Sequence, residues 1–351
     1  MIKLTHKMLL LSALAYGAGC AENADGDTGE TAPEATFDEA EARRQQPEVY
    51  GEIENAKQNG ESFERAGQEA LAEVEALPEA SLAVNEGQPT IQYLKGRGPH
   101  PSASFNTSGA GRNYGGSTIY YPRDQSTDLA GVVMCPGFTA LKSSLAGWGP
   151  FFASHGIVLM TIDTKTVMDQ VIQRAPEIQQ ALDDLKKFGN DRNELRGRMG
   201  DKWGVSGWSM GGGGTWLTAA KAERQNIKTA VTLAGHNSTA GGAFGVDARQ
   251  IKIPTLMMNG STDVTILGGL GQSSSAYNAI PNSTPKLHWE TGTCGHFCWG
   301  GPNAGGGISG VFMMAWQKTF LEGDERFKVL LNRSTAQASG ARTTTFNTNV
   351  Q

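Results

Sequence analysis

The sequence predicts an α/β fold, a mostly parallel sheet with helices on both faces, and three observations carry that prediction. Short apolar runs at Gly131–Cys135, Ile157–Ile162, Trp203–Ser206, Thr229–Leu233 and Thr255–Asn259 alternate with stretches of helical periodicity. Strands apolar at nearly every position are buried on both faces, which is the mark of a parallel sheet covered by crossover helices. The run from Val205 to Gly214 then turns abruptly from strand to helix through Gly207-Trp208-Ser209-Met210-Gly211, a G-x-S-x-G pattern that lifts a serine clear of the backbone. Finally, no G-x-G-x-x-G opens a helix after the first strand, which argues against a dinucleotide-binding sheet. Together these define an α/β-hydrolase fold, and the short intervals between its motifs leave no room for a large lid.

The elements follow in order. Residues 1–20 read as a signal peptide: Lys3, His6 and Lys7 precede the apolar run Met8–Tyr16, which is too short to cross a bilayer. Gly17-Ala18-Gly19 before Cys20 resembles a bacterial lipobox, so the chain is expected to be exported and anchored in a membrane through lipidated Cys20. Ordinary cleavage near Cys20, releasing a soluble enzyme, is the alternative. Residues 21–50 carry nine acidic and two basic side chains, net −7, and read as a disordered linker that spaces the domain from a surface.

Residues 51–92 are a leader region. Phe63, Ala66, Ala70, Val74 and Leu77 form an apolar stripe at helical spacing within Ile53–Leu77, and Pro78 ends it. The stripe could pack on the main domain or belong to a separable leader helix; it is read as a solvated helix beside a linker. The main domain is expected over 93–333, with a strand at Thr118–Tyr121, a helix at Ser143–His155 and a helix at Gln173–Phe188 that turns Ala175, Ile178, Leu182, Leu185 and Phe188 to one side. A helix runs on from the Ser209 turn to about Arg224. Lys286–Trp289 reads as a last strand and Ile308–Leu321 as a closing helix. The Ser/Thr/Asn-rich residues 334–351 read as a loose tail. Residues 81–351 are net +6, but their Lys and Arg are scattered, with no tract or motif for nucleic acid, and a monomer is expected.

The chemistry centres on Ser209. A serine hydroxyl is a poor nucleophile without a base, and in this fold the partners follow in the order Ser, Asp, His, on loops after strands. Asp263 follows the strand Thr255–Asn259 and the turn Gly260-Ser261-Thr262, and His296 follows Leu287–Trp289 and Gly292-Thr293. Asp247 is the competing acid and lacks an apolar strand before it. His155, His288, His100 and His236 fit the chain order or the strand ends less well. The oxyanion donors are expected to be the backbone N–H groups of Met210 and Phe138. Cys135 ends an apolar strand and reads as a buried free thiol. Cys294 and Cys298 flank His296, which in an exported chain suggests a short disulfide; a metal site with His296 is the rival and lacks a fourth ligand. No metal and no cofactor are expected.

Cys135-Pro136-Gly137-Phe138-Thr139-Ala140, Trp148-Gly149-Pro150, Ala153-Ser154-His155-Gly156, Thr161-Ile162-Asp163-Thr164 and Gly207–Gly214 resemble the bacterial cutinases and PET hydrolases, relatives of the dienelactone hydrolase group. The resemblance spans about Gly98 to Phe327. It implies a Ser209–Asp263–His296 triad, an oxyanion hole from Phe138 and Met210, and a substrate surface formed by Phe138, Trp208 and residue 236. Two departures stand out. Family members carry a Trp at the place of His236, so an aromatic ester should be gripped less well. The cysteine that pairs with the Cys298 equivalent in the PET-degrading subgroup is Gly260 here, which leaves Cys294 as the partner of Cys298. The expected function is serine ester hydrolysis of polyesters or long-chain esters. A lipase or carboxylesterase on acylglycerols or small esters is the alternative, and a catalytically silent polymer-binding lipoprotein is a third.

Overall fold

The computed structural model describes residues 47–78, 88–124, 126–236, 247–263, 272–338 and 342–350. The expected signal peptide, Cys20 and most of the acidic linker lie outside them. Gly60–Gln351 is one compact unit, and of the other, Met1–Asn59, only the start of helix α1 (Pro47–Ala76) is described.

The helices after α1 are α2 (Ile91–Lys95), α3 (Trp148–Ser154), α4 (Val171–Asp191), α5 (Met210–Ala219), α6 (Gln272–Ala279), α7 (Ile308–Phe320) and α8 (Arg333–Gln337). The strands are β1 (Ser102–Ser108), β2 (Gly116–Pro122), β3 (Leu129–Cys135), β4 (Ile157–Asp163), β5 (Met199–Trp208), β6 (Ile227–Leu233), β7 (Thr255–Gly260), β8 (Lys286–Thr291) and β9 (Thr343–Thr348). They form one sheet in the order β1-β2-β4-β3-β5-β6-β7-β8-β9. The six central strands run parallel, and β1, β2 and β9 are antiparallel additions at the edges. This is the α/β-hydrolase architecture that the alternating apolar runs predict.

The core has two layers because β3 is apolar on both faces. Val132 and Met134 pack with Trp148, Phe151, Trp289, Phe312 and Trp316 on one side. Val133 and Cys135 pack with Ile178, Leu182, Leu185, Trp203 and Trp216 on the other. The alternation is the strand period of two, with an apolar side chain at every step.

Two expectations need correcting, and one strand escapes the sequence pattern. The 334–351 tail is not loose: β9 pairs with β8, Phe346 opposite Trp289, and buries Phe346 in the core. Its Thr-rich sequence suits an edge strand, with Thr344 and Thr345 bonding Glu290. The first strand, Ser102–Ser108, escapes an apolar pattern because only Ala103, Phe105 and Thr107 of this edge strand turn inward. The apolar stripe of α1 is not solvated either. Val74 is fully buried in the core, Gly67 is buried, and Phe63, Ala66, Ala70 and Leu77 are half-buried.

Candidate active site

Phe138, His236 and the three triad candidates each lie beyond the C-terminal end of a parallel strand, the edge where this class of sheet places its ligands. Phe138 follows β3, Ser209 follows β5, His236 follows β6, Asp263 follows β7 and His296 follows β8.

Ser209 stands at the tip of the β5–α5 turn with φ 56° and ψ −122°, in the half of the backbone map that side chains rarely enter. Its N–H donates to the Leu233 carbonyl and its own carbonyl accepts from the N–H groups of Gly213 and His236, so the turn is held from three sides. The glycines make the turn possible. A Cβ on Gly207 would meet the Gly211 carbonyl oxygen at 2.3 Å, and one on Gly211 would meet the Cys135 carbonyl oxygen at 2.2 Å. Thr139 and Ala234 are also at positive φ, so three of the five such non-glycine residues among the described ones surround this site.

The structure brings Ser209, His296 and Asp263 together although 87 and 33 positions separate the linked pairs. His296 Nε2 lies 2.8 Å from Ser209 Oγ, and His296 Nδ1 lies 2.8 Å from Asp263 Oδ2. Asp263 is 1% exposed, so its carboxylate has the imidazole rather than water as its neighbour. With Nδ1–H donating to Asp263, the lone pair of Nε2 is free to accept the Ser209 proton. The competing acid Asp247 is spent elsewhere: it caps its own turn and pairs with Arg249. Among the rival histidines, His100 pairs with Asp124, and His155 is buried against the Gly96 carbonyl, its pKa pushed down to about 3 by burial.

The Pro136–Thr139 loop lies against the serine, so close that a Cβ on Gly137 would stand 3.0 Å from Ser209 Cβ. Thr139 N–H donates to Val167 O, and Arg174 donates to Pro136 O, which fixes the loop from behind. Met210 opens α5, so its N–H sits at the positive end of the helix dipole beside Ser209. Phe138 is half-buried at the rim.

Two expected substrate contacts turn inward instead. Trp208 is 4% exposed; its Nε1–H donates to the His296 carbonyl at 2.8 Å, so it ties down the histidine segment. His236 is 3% exposed, and its pKa is pushed down to about 4, by burial first and by the neighbouring His296 second. It is a neutral packing ring at neutral pH. The sequence reading missed Phe297, which is 57% exposed and meets the His296 ring edge-on at 5.2 Å. An apolar residue directly after the candidate histidine, in a loop of small residues, was the available signal.

Cys294 and Cys298 form a disulfide around His296. A Cβ on Gly260 would meet the Cys294 carbonyl oxygen at 2.0 Å, so no cysteine side chain fits at 260 in this packing. Cys135 is the free, buried thiol. Among the described residues no group of His, Cys, Asp and Glu could hold a metal ion, and no helix is long and apolar enough to cross a membrane.

Fold and site define an α/β-hydrolase with a serine on the strand–helix turn and a histidine–aspartate pair in line with it. The model of a family described as PET hydrolase-like matches residues 79–349. A cutinase of Thermobifida alba, est1, is 35% identical over 69% of this chain and 78% of its own length. A bis(hydroxyethyl) terephthalate hydrolase of Streptomyces coelicolor is 36% identical over 67% of this chain and 72% of its own. The cutinase cut1 of Thermobifida fusca is 33% identical over 77% of this chain and 82% of its own. The chain belongs to the PET hydrolase-like family and is by class a carboxylic ester hydrolase.

Proposed function

We propose that this chain is an exported serine hydrolase that cleaves polyesters or long-chain esters by Ser–His–Asp acyl transfer, with aliphatic esters preferred. The observation that carries the reading is the unbroken relay Ser209 Oγ, His296, Asp263, with 2.8 Å at each link. Ser209 Oγ attacks the ester carbonyl carbon while its proton passes to His296 Nε2. The carbonyl oxygen takes the negative charge and is held by the N–H groups of Phe138 and Met210. As the tetrahedral intermediate collapses, the C–O bond to the alcohol breaks and Nε2 returns the proton to that alcohol. Water then attacks the acyl-serine by the same relay, releasing the carboxylic acid and restoring Ser209. Asp263 holds the imidazolium in the right orientation throughout.

A large substrate is favoured by the rim. Phe297 adjoins His296, the Val167 carbonyl accepts from the N–H of Thr139 next to Phe138, and Ile172 follows Val171, which lies against Gly213 of the serine turn. These exposed apolar side chains suit a polymer or lipid surface. The relatives named as cutinases and as a bis(hydroxyethyl) terephthalate hydrolase point to the same substrate class. With His236 buried rather than presented to the substrate, no ring at that position grips a terephthalate unit, which favours aliphatic esters. The mature chain acts as a monomer outside the cytoplasm, tethered through Cys20 with the acidic segment as spacer.

The test is hydrolysis of p-nitrophenyl butyrate, triglyceride, polycaprolactone film and PET film by the full chain and by Ser209→Ala. Turnover of the small ester and polycaprolactone, lost in the variant together with fluorophosphonate labelling, is expected. Activity on p-nitrophenyl butyrate and triglyceride without film erosion overturns the polyester reading in favour of a lipase or carboxylesterase. An unlabelled wild-type serine overturns the mechanism.

A further inference from the structure

The part of helix α1 from Gly60 onward is docked on the segment that carries His296, and one of its side chains reaches the rings around that histidine. Its Ala66, Gly67 and Ala70 face glycines: a Cβ on Gly147 would stand 2.8 Å from Ala70 Cβ, and one on Gly300 would stand 3.4 Å from both Ala66 O and Gly67 Cα. Asn303 Nδ2 donates to Glu73 further along. Near the start of this docked stretch, Phe63 fits between two aromatic rings. It meets Trp208 edge-on at 5.0 Å and stacks on Phe297 at 5.0 Å. Both of those rings touch His296, Trp208 at 5.4 Å and Phe297 at 5.2 Å, and Trp208 also donates to the His296 carbonyl.

The histidine needs this support. It lies in residues 292–307, which link β8 to α7 without regular structure, and its two nitrogens must keep hydrogen-bond reach to Ser209 and Asp263 at once. A misplacement of about 1 Å in such a relay lowers turnover by about 10²-fold. The disulfide and the Trp299 Nε1–H bond to Gly295 O brace the segment from within. Phe63 is the contact that clamps its outer face, because it holds the ring before the serine edge-on and the ring after the histidine in a stack.

We propose that Phe63 on helix α1 is a positioning residue for His296, so that the leader helix is part of the working enzyme rather than a spacer. The inference rests on the serine hydrolase reading above.

The experiment uses the full chain and p-nitrophenyl acetate, whose acyl group is the smallest available. Phe63→Ala should lower kcat by about ten-fold or more with KM nearly unchanged, and slow fluorophosphonate labelling of Ser209 by the same factor. Phe63→Tyr, which keeps the ring, should restore both rates. Phe63→Leu, the second variant should the alanine chain not fold, should show the same kcat loss in smaller measure. Alanine favours helix, and the site is half-exposed, so unfolding is not the expected result. An unchanged kcat overturns the proposal. So does a change in KM alone, which would make Phe63 a wall of the substrate groove, and so does a rise in kcat, which would make α1 a cover. An inactive wild-type chain overturns the hydrolase reading and this inference with it; an active wild type with an equally active Phe63→Ala overturns this inference alone.

Discussion

Replacing Gly260 by Ala adds one methyl group, and the structure says where it goes. Gly260 ends β7, opposite Thr291 of β8, and its carbonyl accepts the Asp263 N–H. The new Cβ would lie 2.0 Å from the Cys294 carbonyl oxygen and 2.6 Å from that of Gly295. Contacts below 3.0 Å are not tolerated by backbone atoms, so the two segments must part by about 1 Å. One of them carries His296 directly after Gly295, and the other carries Asp263. The relay is therefore stretched at its buried end, and a shift of that size lowers kcat by about 10²-fold, equivalent to about 2.7 kcal/mol in the barrier. Overpacking should also destabilise the fold by about 1–3 kcal/mol, which lowers Tm by several degrees. Steady-state hydrolysis of p-nitrophenyl butyrate and a thermal melt measure the two effects. A Gly260→Ala chain with kcat within about three-fold of wild type and an unchanged Tm refutes the claim that this glycine sets the spacing of the relay.

Two further outcomes follow from the same geometry. Asp263→Asn keeps the shape but removes the charge opposite Nδ1–H, so the wrong tautomer competes; kcat should fall by about 10³–10⁴-fold while the fold melts nearly as before, and a loss under ten-fold would show that Asp263 is not the orienting acid. Glu177, buried on α4 and accepting from Lys165 N–H, has its pKa pushed up to about 8, by burial first and by the neighbouring Asp169 carboxylate second. Because the folded pKa lies above the unfolded one, its share of the stability is present below about pH 4.5 and is lost as pH rises to about 8, at no more than about 1.4 kcal/mol per pH unit. Glu177→Gln, a copy of the protonated form, should flatten the fall of Tm over that window and be the more stable chain above pH 8; parallel Tm profiles for the two chains would refute the buried proton.

The sequence by itself determined the parallel centre of the sheet, because strands buried on both faces are apolar at every step and say so locally. It also determined the Ser209 turn, whose glycines are required by backbone approaches within a few residues, and it ordered Asp263 and His296 behind their strands. Edge elements were less legible. Ser102–Ser108 and Thr343–Thr348 bury only one face, in short polar sequences that read equally well as loops. Only the tertiary structure decided the rest. The family resemblance implies that Trp208 and His236 are surface for a substrate, and both are buried, because what covers a ring comes from another part of the chain. For Trp208 that cover includes Phe63, about 145 positions earlier, on a helix whose apolar stripe gave no sign of what it meets. Periodicity shows that a face is apolar; which surface it covers depends on contacts between residues far apart in sequence, and those exist only once the chain has folded.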